Sequence, residues 1–226
     1  MERIIVISLG GSIIIPDKID VNFLKGFKKI IIDFVEKGNK AIIVCGGGKT
    51  CRHYQEAAAT VSNLRNEDLD WIGIHTTRLN AQLIKTLFLG IVHEKIIHNP
   101  NDKIDFREKV LIAAGWKPGW STDYDAALLA KNFNVKTVIN MSDISYVYDK
   151  EPKNNHDARP IKEMPWKELR KLVGNKWDPG LNVPFDPIAA KEAEKLGLKV
   201  VIIKGTDLNN LKKFLDEKEF NGTVIS

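Results

Sequence analysis

Ala41-Ile42-Ile43-Val44-Cys45-Gly46-Gly47-Gly48-Lys49-Thr50 is the stretch on which the reading of this chain turns. The apolar run from Ala41 reads as a short buried strand, and a helical stretch over residues 50–59 follows the glycines. Three successive glycines remove every Cβ where strand gives way to helix, so backbone N–H groups can close on an anion at the positive end of the helix dipole. Phosphate is the guest such a turn fits. A second opening, Gly10-Gly11-Ser12, follows a first strand over residues 4–9. One glycine at a strand-to-helix turn is explained by geometry alone. Two such mouths in one sheet weaken that explanation and suggest two phosphate-bearing ligands facing each other, the arrangement that phosphoryl transfer requires.

Two other phosphate motifs are disfavoured. Gly48-Lys49-Thr50 imitates the end of a Walker A loop, but that motif needs a glycine five places before Gly48, where Ile43 stands. No Gly-x-Gly-x-x-Gly follows the first strand, which argues against a dinucleotide fold of the usual kind.

The totals suit one globular α/β domain over residues 1–226: 43% of the chain is hydrophobic and 28% charged, enough to close a core without staples. The net charge of +5 comes from lysines spread along the chain, which implies mild attraction for anionic metabolites and no nucleic-acid partner. Cys45 and Cys51 are the only cysteines and show no zinc or disulfide spacing, as in a reducing cytosol. His53, His75, His93, His98 and His156 form no pair at ligand spacing, so no metal ligand is assigned. The start of the chain has no basic leader and no apolar run reaches the length of a membrane span, so a soluble, unprocessed, cytoplasmic protein is expected.

Along the chain, Asp20 caps a helix with Leu24, Phe27, Ile31, Phe34 and Val35 on one face, and Gly38 ends it. Arg52 falls early in the helix after the glycine turn, where its fork could reach a held phosphate. Residues 67–89 have helical spacing, a short strand is expected near Ile91-Val92, and an apolar strand over 110–114 runs into Gly115-Trp116-Lys117-Pro118-Gly119-Trp120-Ser121-Thr122-Asp123. That loop opens an Ala-rich helix, where Ser121, Thr122 and Asp123 can cap backbone donors or face a cation. A strand over 137–141 ends in Ser142-Asp143 and leads to a hairpin placed to cover an adenine, then a helix over 165–173 and a Gly/Pro-rich stretch over 174–185, a candidate lid or partner contact. Asp186 caps a helix with Pro187 at its first position, followed by a strand over 199–203, a helix over 208–215 and, at residues 222–225, an edge strand. Alternating strands and helices predict a three-layer αβα sandwich around a mostly parallel sheet, with ligands at the carboxyl ends of the strands.

These residues together resemble the amino-acid-kinase fold and, within it, uridylate (UMP) kinases of the archaeal type. The resemblance covers essentially the whole chain. It rests on Gly10-Gly11-Ser12, on Gly46-Gly47-Gly48-Lys49 with Arg52, on Asp70-Trp71-Ile72-Gly73 followed by Thr77-Arg78-Leu79-Asn80-Ala81, and on Pro118-Gly119 with Ser121-Thr122-Asp123. Ser142-Asp143, Val147-Tyr148 with Glu151-Pro152, Asp186-Pro187 with Ala189-Ala190, and Gly222-Thr223 extend it. The resemblance implies transfer of the ATP γ-phosphoryl group to UMP, with Mg²⁺ and a homo-oligomer, a hexamer by family pattern. It implies that Gly10, Gly11, Ser12, Gly48 and Arg52 hold the ATP phosphates and that Ser142, Asp143, Tyr148 and Glu151 line the adenosine side. Gly47, Asp70 and the loop of Trp116, Lys117, Pro118, Gly119, Trp120, Ser121 and Thr122 would hold UMP, with Asp70 accepting from the ribose hydroxyls. Asp123 would organise the cations, with Arg52 and Asp186 beside it as catalytic groups. Residues 1–120 would form mainly the acceptor half and 121–226 mainly the ATP half.

Three departures from the family pattern stand out. Ser8 occupies the position of a frequent family lysine, which leaves Arg52, Lys49 and Lys117 as candidates for that charge. Ser145-Tyr146 replaces an Asp-Gly pair beside the adenine wall, and Trp116 and Trp120 are bulkier than expected in the acceptor loop. Two alternatives stay open: a kinase of the same fold for another small phosphate or acyl phosphate, and a nucleotide- or oxoanion-binding protein without catalysis.

Overall fold

In the apolar strands of this chain alternate residues point to opposite faces, and both faces are covered. One set, including Ile5, Ile7, Leu9, Ile43 and Met141, packs on Phe27, Ile31, Ala81, Ile84 and Leu211. The other, including Val6, Ile42, Val44, Val138 and Val200, packs on Ala126, Ala130, Leu169, Ala189 and Ala193. Near-continuous apolar runs are what a parallel sheet buried on both sides requires.

The computed structural model describes residues 2–150, 152, 154–176 and 183–226. Glu151 and the middle of the 174–185 stretch lie outside them. The order is β1 (Ile4–Leu9), α1 (Gly11–Ile14), α2 (Val21–Glu36), β2 (Lys40–Cys45), α3 (Gly48–Val61), α4 (Asn66–Thr86), β3 (Val110–Ala113), α5 (Thr122–Asn132), β4 (Thr137–Ser142), β5 (Val147–Tyr148), β6 (Pro160–Ile161), β7 (Glu163–Met164), α6 (Trp166–Val173), α7 (Pro187–Lys195), β8 (Lys199–Lys204), α8 (Leu208–Leu215) and β9 (Thr223–Ile225). The main sheet runs β3-β2-β1-β4-β8-β9-β7, and β5 and β6 form a separate antiparallel hairpin. All pairs from β3 to β8 are parallel; β9 is antiparallel to β8. The layers α2/α4/α8 and α5/α6/α7 make this the αβα sandwich expected from the sequence.

The caps read from the sequence form: the carboxylates of Asp20 and Asp186 accept from Phe23 and Ala189 N–H, and Ser121 Oγ accepts from Tyr124 N–H. Asp207, which the sequence reading passed over, caps α8 in the same way by accepting from Asn210 N–H. Two expectations fail. The segment at residues 222–225 is not an edge: β9 lies between β8 and the two-residue β7, whose Glu163 and Met164 pair with Val224 and Ile225. Near Ile91-Val92 there is no strand. Val92 and Ile97 make single bridges to Val110 and Ala113, and residues 94–95 bend away between them.

The parallel register places Leu9 beside Cys45, so the glycines after β1 and β2 emerge side by side. They pack backbone on backbone. A Cβ on Gly11 would stand 2.0 Å from Gly48 N and 2.5 Å from the Gly47 carbonyl carbon. Gly48 has φ +69°, a left-handed conformation that favours glycine. We expect Gly11→Ala to cost about 3 kcal/mol or more, by overpacking against rigid backbone, and to lower the melting temperature by roughly 6–12 °C for a chain of this size. Gly73→Ala is the control: its added methyl meets nothing nearer than 3.5 Å. Equal melting temperatures for the two variants would contradict the tight seating.

Candidate functional site

The seated glycine turns are fixed from a third side by α4. Asn80, buried in that helix, donates from Nδ2 to the carbonyls of Gly46 at 2.8 Å and Gly47 at 3.1 Å. With their carbonyls tied back, the turns leave the N-terminal end of α3 open to the cleft. Gly10, Gly11, Ser12, Gly47 and Arg52 all line that cleft, together with Ser121, Thr122, Asp123, Ser142 and Asp186. A second cleft lies against it, walled by Gly47, Gly48, Cys51, Arg52, Asp70, Trp120, Ser121 and Thr122 among others. Gly47, Arg52, Ser121 and Thr122 belong to both, so two ligands could meet end to end there.

The period of two along β1 and β4 explains the polar floor. Ser8 and Asn140 share the face of Val6 and Val138, which looks toward α5. There they meet Asp123: Ser8 Oγ donates to Oδ1 at 2.8 Å and Asn140 Nδ2 donates to the same oxygen at 2.9 Å. Oδ2 accepts a longer bond from Asp186 N–H at 3.4 Å. Ser8 thus acts as a neutral donor to the central carboxylate. Asn140 escaped the sequence reading. Its signal was a polar side chain inside an apolar strand, in phase with Ser8.

Burial raises the pKa of Asp123, against the lowering effect of the Ser8 hydroxyl and the Asp186 N–H. Asp186 is pushed up to about 6 by burial, and the nearby Asp123 charge adds to the effect. Its Oδ1 caps α7, but its buried Oδ2 has no hydrogen-bond partner among the described residues. Asp125 is raised well above the ordinary range, chiefly by burial. An unmatched buried oxygen beside two pressured carboxylates is the kind of donor set a hard cation completes with phosphate oxygens and water. Among the described residues no group of three or more His, Cys, Asp and Glu forms a cage by itself.

The loop over residues 115–120 is hung on α4 and α5. Gly115 N–H donates to Thr77 Oγ1 at 2.8 Å, Arg78 donates to the Trp116 carbonyl at 3.2 Å, and Gly119 N–H donates to Asp70 Oδ2 at 2.7 Å. Trp116 and Trp120 stack with centroids 6.2 Å apart, Trp120 lies 4.1 Å from Tyr124, and Lys117 Nζ sits 4.1 Å above Trp116. Pro118 is half-buried and Gly119 exposed at the tip. Of the candidate cations, Lys49 is paired with Asp17 at 2.8 Å and Lys117 is held on the tryptophans. Arg52 is exposed at the seam of the two clefts and has no hydrogen bond or ion pair among the described residues.

The hairpin side is less gathered. Ser142 lines the cleft, but Asp143 and Tyr148 do not. Asp143 is exposed, its carbonyl accepting from Lys204 Nζ. Tyr148 packs edge-on against Tyr146 at 6.5 Å, and Tyr146 donates to Asn221 at 3.1 Å.

Residues 3–204 match the Amino acid kinase family. The chain is 36% identical over 222 residues to the uridylate kinase of Thermoplasma volcanium, covering 96% of this chain and 95% of that one. It is 33% identical to the uridylate kinase of Sulfolobus acidocaldarius, covering 88% of each chain. The crystal structure of uridylate kinase from Archaeoglobus fulgidus superposes with a TM-score of 0.83 at 30% identity, over 99% of this chain and all of that one. The chain belongs to the amino acid kinase family.

The buried carboxylates make stability depend on pH. The folded pKa of Asp186, about 6, lies above its ordinary 3.8. Its stabilising contribution is therefore whole below about pH 4 and is lost as pH rises through about 6, up to roughly 3 kcal/mol. In chelator and without nucleotide, Asp186→Asn, which keeps an oxygen for the cap, should match wild type near pH 4 and become the more stable protein by about pH 7. Melting curves across that range test this; parallel pH dependence in the two proteins would refute it.

Proposed function

We propose that this protein is a uridylate kinase, transferring the γ-phosphoryl group of ATP to UMP to give UDP and ADP. The observation that carries the reading is the pair of glycine mouths opening on adjoining clefts that share Gly47, Arg52, Ser121 and Thr122. A phosphate oxygen of UMP attacks Pγ, the bond from Pγ to the bridging oxygen of ADP breaks, and the protein's work is positioning and charge neutralisation.

In this reading Gly10, Gly11, Ser12, Gly48 and Arg52 hold the ATP phosphates, and Ser142, Asp143, Tyr148 and Glu151 serve the adenosine side. Gly47, Asp70 and residues 116–122 hold UMP. The first 120 residues mainly take the acceptor, and residues 121–226 mainly take ATP. Asp123 and Asp186 are the residues that would hold Mg²⁺, which neutralises phosphate charge when bound. The unmatched Asp186 Oδ2 supports that fit. Among the described residues no helix is long and apolar enough to cross a membrane, which accords with a cytoplasmic place for these small substrates. A homo-oligomer, hexameric in the family pattern, is supported by α3, which buries none of its residues and exposes Tyr54 and Val61 by 66% and 81%. In light scattering the protein should run well above 25.5 kDa, and a monomer would overturn the assembly.

A coupled ADP-release assay over UMP, CMP, acyl phosphates and other small phosphates tests donor, acceptor and catalysis together. UMP should be the preferred acceptor; nucleotide binding without UDP formation would favour a non-catalytic role. Arg52→Ala should fold as wild type, since Arg52 makes no hydrogen bond or ion pair among the described residues, and lose about 1.5–3 kcal/mol of phosphate contact, roughly ten- to a hundredfold in turnover. Asp123→Asn should lower kcat more than it raises the KM for UMP. Wild-type turnover in either variant would remove that residue from the chemistry.

A further inference from the structure

Asp125 has no part in the phosphoryl chemistry, yet it is a carboxylate 1% exposed in an Ala-rich helix face. Burying such a group is costly unless hydrogen bonds or protonation offset the lost hydration. Its single hydrogen bond among the described residues reaches out of its own helix: Oδ2 accepts from Trp116 N–H at 3.1 Å, and Oδ1 has no partner. That bond closes a grip on the loop's first peptides. On one side Arg78 Nη2 donates to the Gly115 and Trp116 carbonyls at 3.4 and 3.2 Å; on the other Asp125 holds the Trp116 N–H. One residue before Asp125 on the same helix, Tyr124 lies 4.1 Å from Trp120 at the loop's far end. Consecutive side chains of α5 thus hold the backbone of one tryptophan and the ring of the other, and Trp120 forms part of the cleft wall that also carries Asp70.

We propose that Asp125 is a positioning residue for the acceptor: by accepting from Trp116 N–H it sets the Trp116–Trp120 stack, so that the Trp120 ring stands ready against a planar nucleobase. The proposal rests on the nucleotide-kinase reading for its ligand. What it asks of residue 125 is an acceptor oxygen at this point, not a negative charge.

Two substitutions separate these. Asp125→Asn keeps a carbonyl oxygen able to accept from Trp116 N–H, and Asp125→Leu has similar size with none. The readouts are the KM values for UMP and ATP, kcat, and the near-ultraviolet circular dichroism of the stacked indoles, identified as the component that Trp116→Phe removes from a spectrum shared with Trp71, Trp166 and Trp177. Asp125→Leu should raise the KM for UMP about tenfold, leave the KM for ATP within twofold and lose the stack signal, whereas Asp125→Asn should keep all three near wild type. If Asp125→Leu does not fold, Asp125→Ala carries the same expectations. An unchanged KM for UMP with the stack signal intact overturns the proposal. So does a parallel rise in both KM values, which marks general loosening, or an Asn variant as impaired as the Leu one. A wild-type protein that makes no UDP overturns the kinase reading and the acceptor role with it, while the dichroism still decides whether Asp125 sets the loop.

Discussion

Everything in this site depends on the direct contact between the backbone of Gly11 and that of Gly46–Gly48. The contact follows from pairing β1 with β2 in parallel register and from the absence of any Cβ at the crossing. With even one methyl there, the turns would have to separate, and the clefts they open would no longer share a wall. The N-terminal ends of α3 and α5 both reach this seam, through the N-cap Gly47 on one side and Thr122 on the other. Their dipole ends favour negative charge between them. The adjoining turns therefore make a small region suited to phosphoryl groups without a lysine among the described residues that line it.

The carboxylates oppose that field. Asp123 and Asp186 are each pushed toward protonation by burial; the Asp123 charge pushes Asp186 further, while the Asp186 N–H eases Asp123 back. Two strained carboxylates next to helix N-termini constitute a site that neither phosphate nor cation alone satisfies. A phosphate group accompanied by a divalent cation, as in the proposed function, would relieve both demands together: the anion would meet the helix ends and Arg52, while the carboxylates would gain a counter-charge. Ser8 fits this balance. Its hydroxyl supports Asp123 with a hydrogen bond instead of a competing full charge.

Local pattern carried much of this architecture into view before any coordinates. The strands were legible because Ile, Val and Leu run without interruption where both faces are buried, and the helices because capping residues such as Asp20, Ser121 and Asp186 stand at their starts. Pairing across the sheet was not legible. Nothing near Val224 says that Glu163 and Met164 add a further strand outside it, because a two-residue pairing leaves almost no trace in composition. The site divides in the same way. Gly11, Arg52 and Asp123 carry signals in their own neighbourhood. Asn140 and Asp125 gain meaning only when β4 is laid beside β1 and the 115–120 loop is folded back onto α5.

Asp70 shows how the acceptor loop is both ordered and exchangeable. One of its oxygens accepts from Gly119 N–H at 2.7 Å, a charge-assisted bond that tethers the tip of the loop to α4 before any ligand arrives. Such a bond contributes about 1.5–3 kcal/mol. Left untethered, a loop with Gly119 at its tip would be ordered at the expense of binding free energy, since immobilising flexible groups on association lowers affinity. The second Asp70 oxygen accepts no hydrogen bond among the described residues, yet the residue faces the acceptor cleft. In the proposed uridylate-kinase reading, a ribose hydroxyl would be received on that oxygen while the first keeps the loop in place. Preorganisation and recognition thus need not compete for one carboxylate, because each uses a different edge of it.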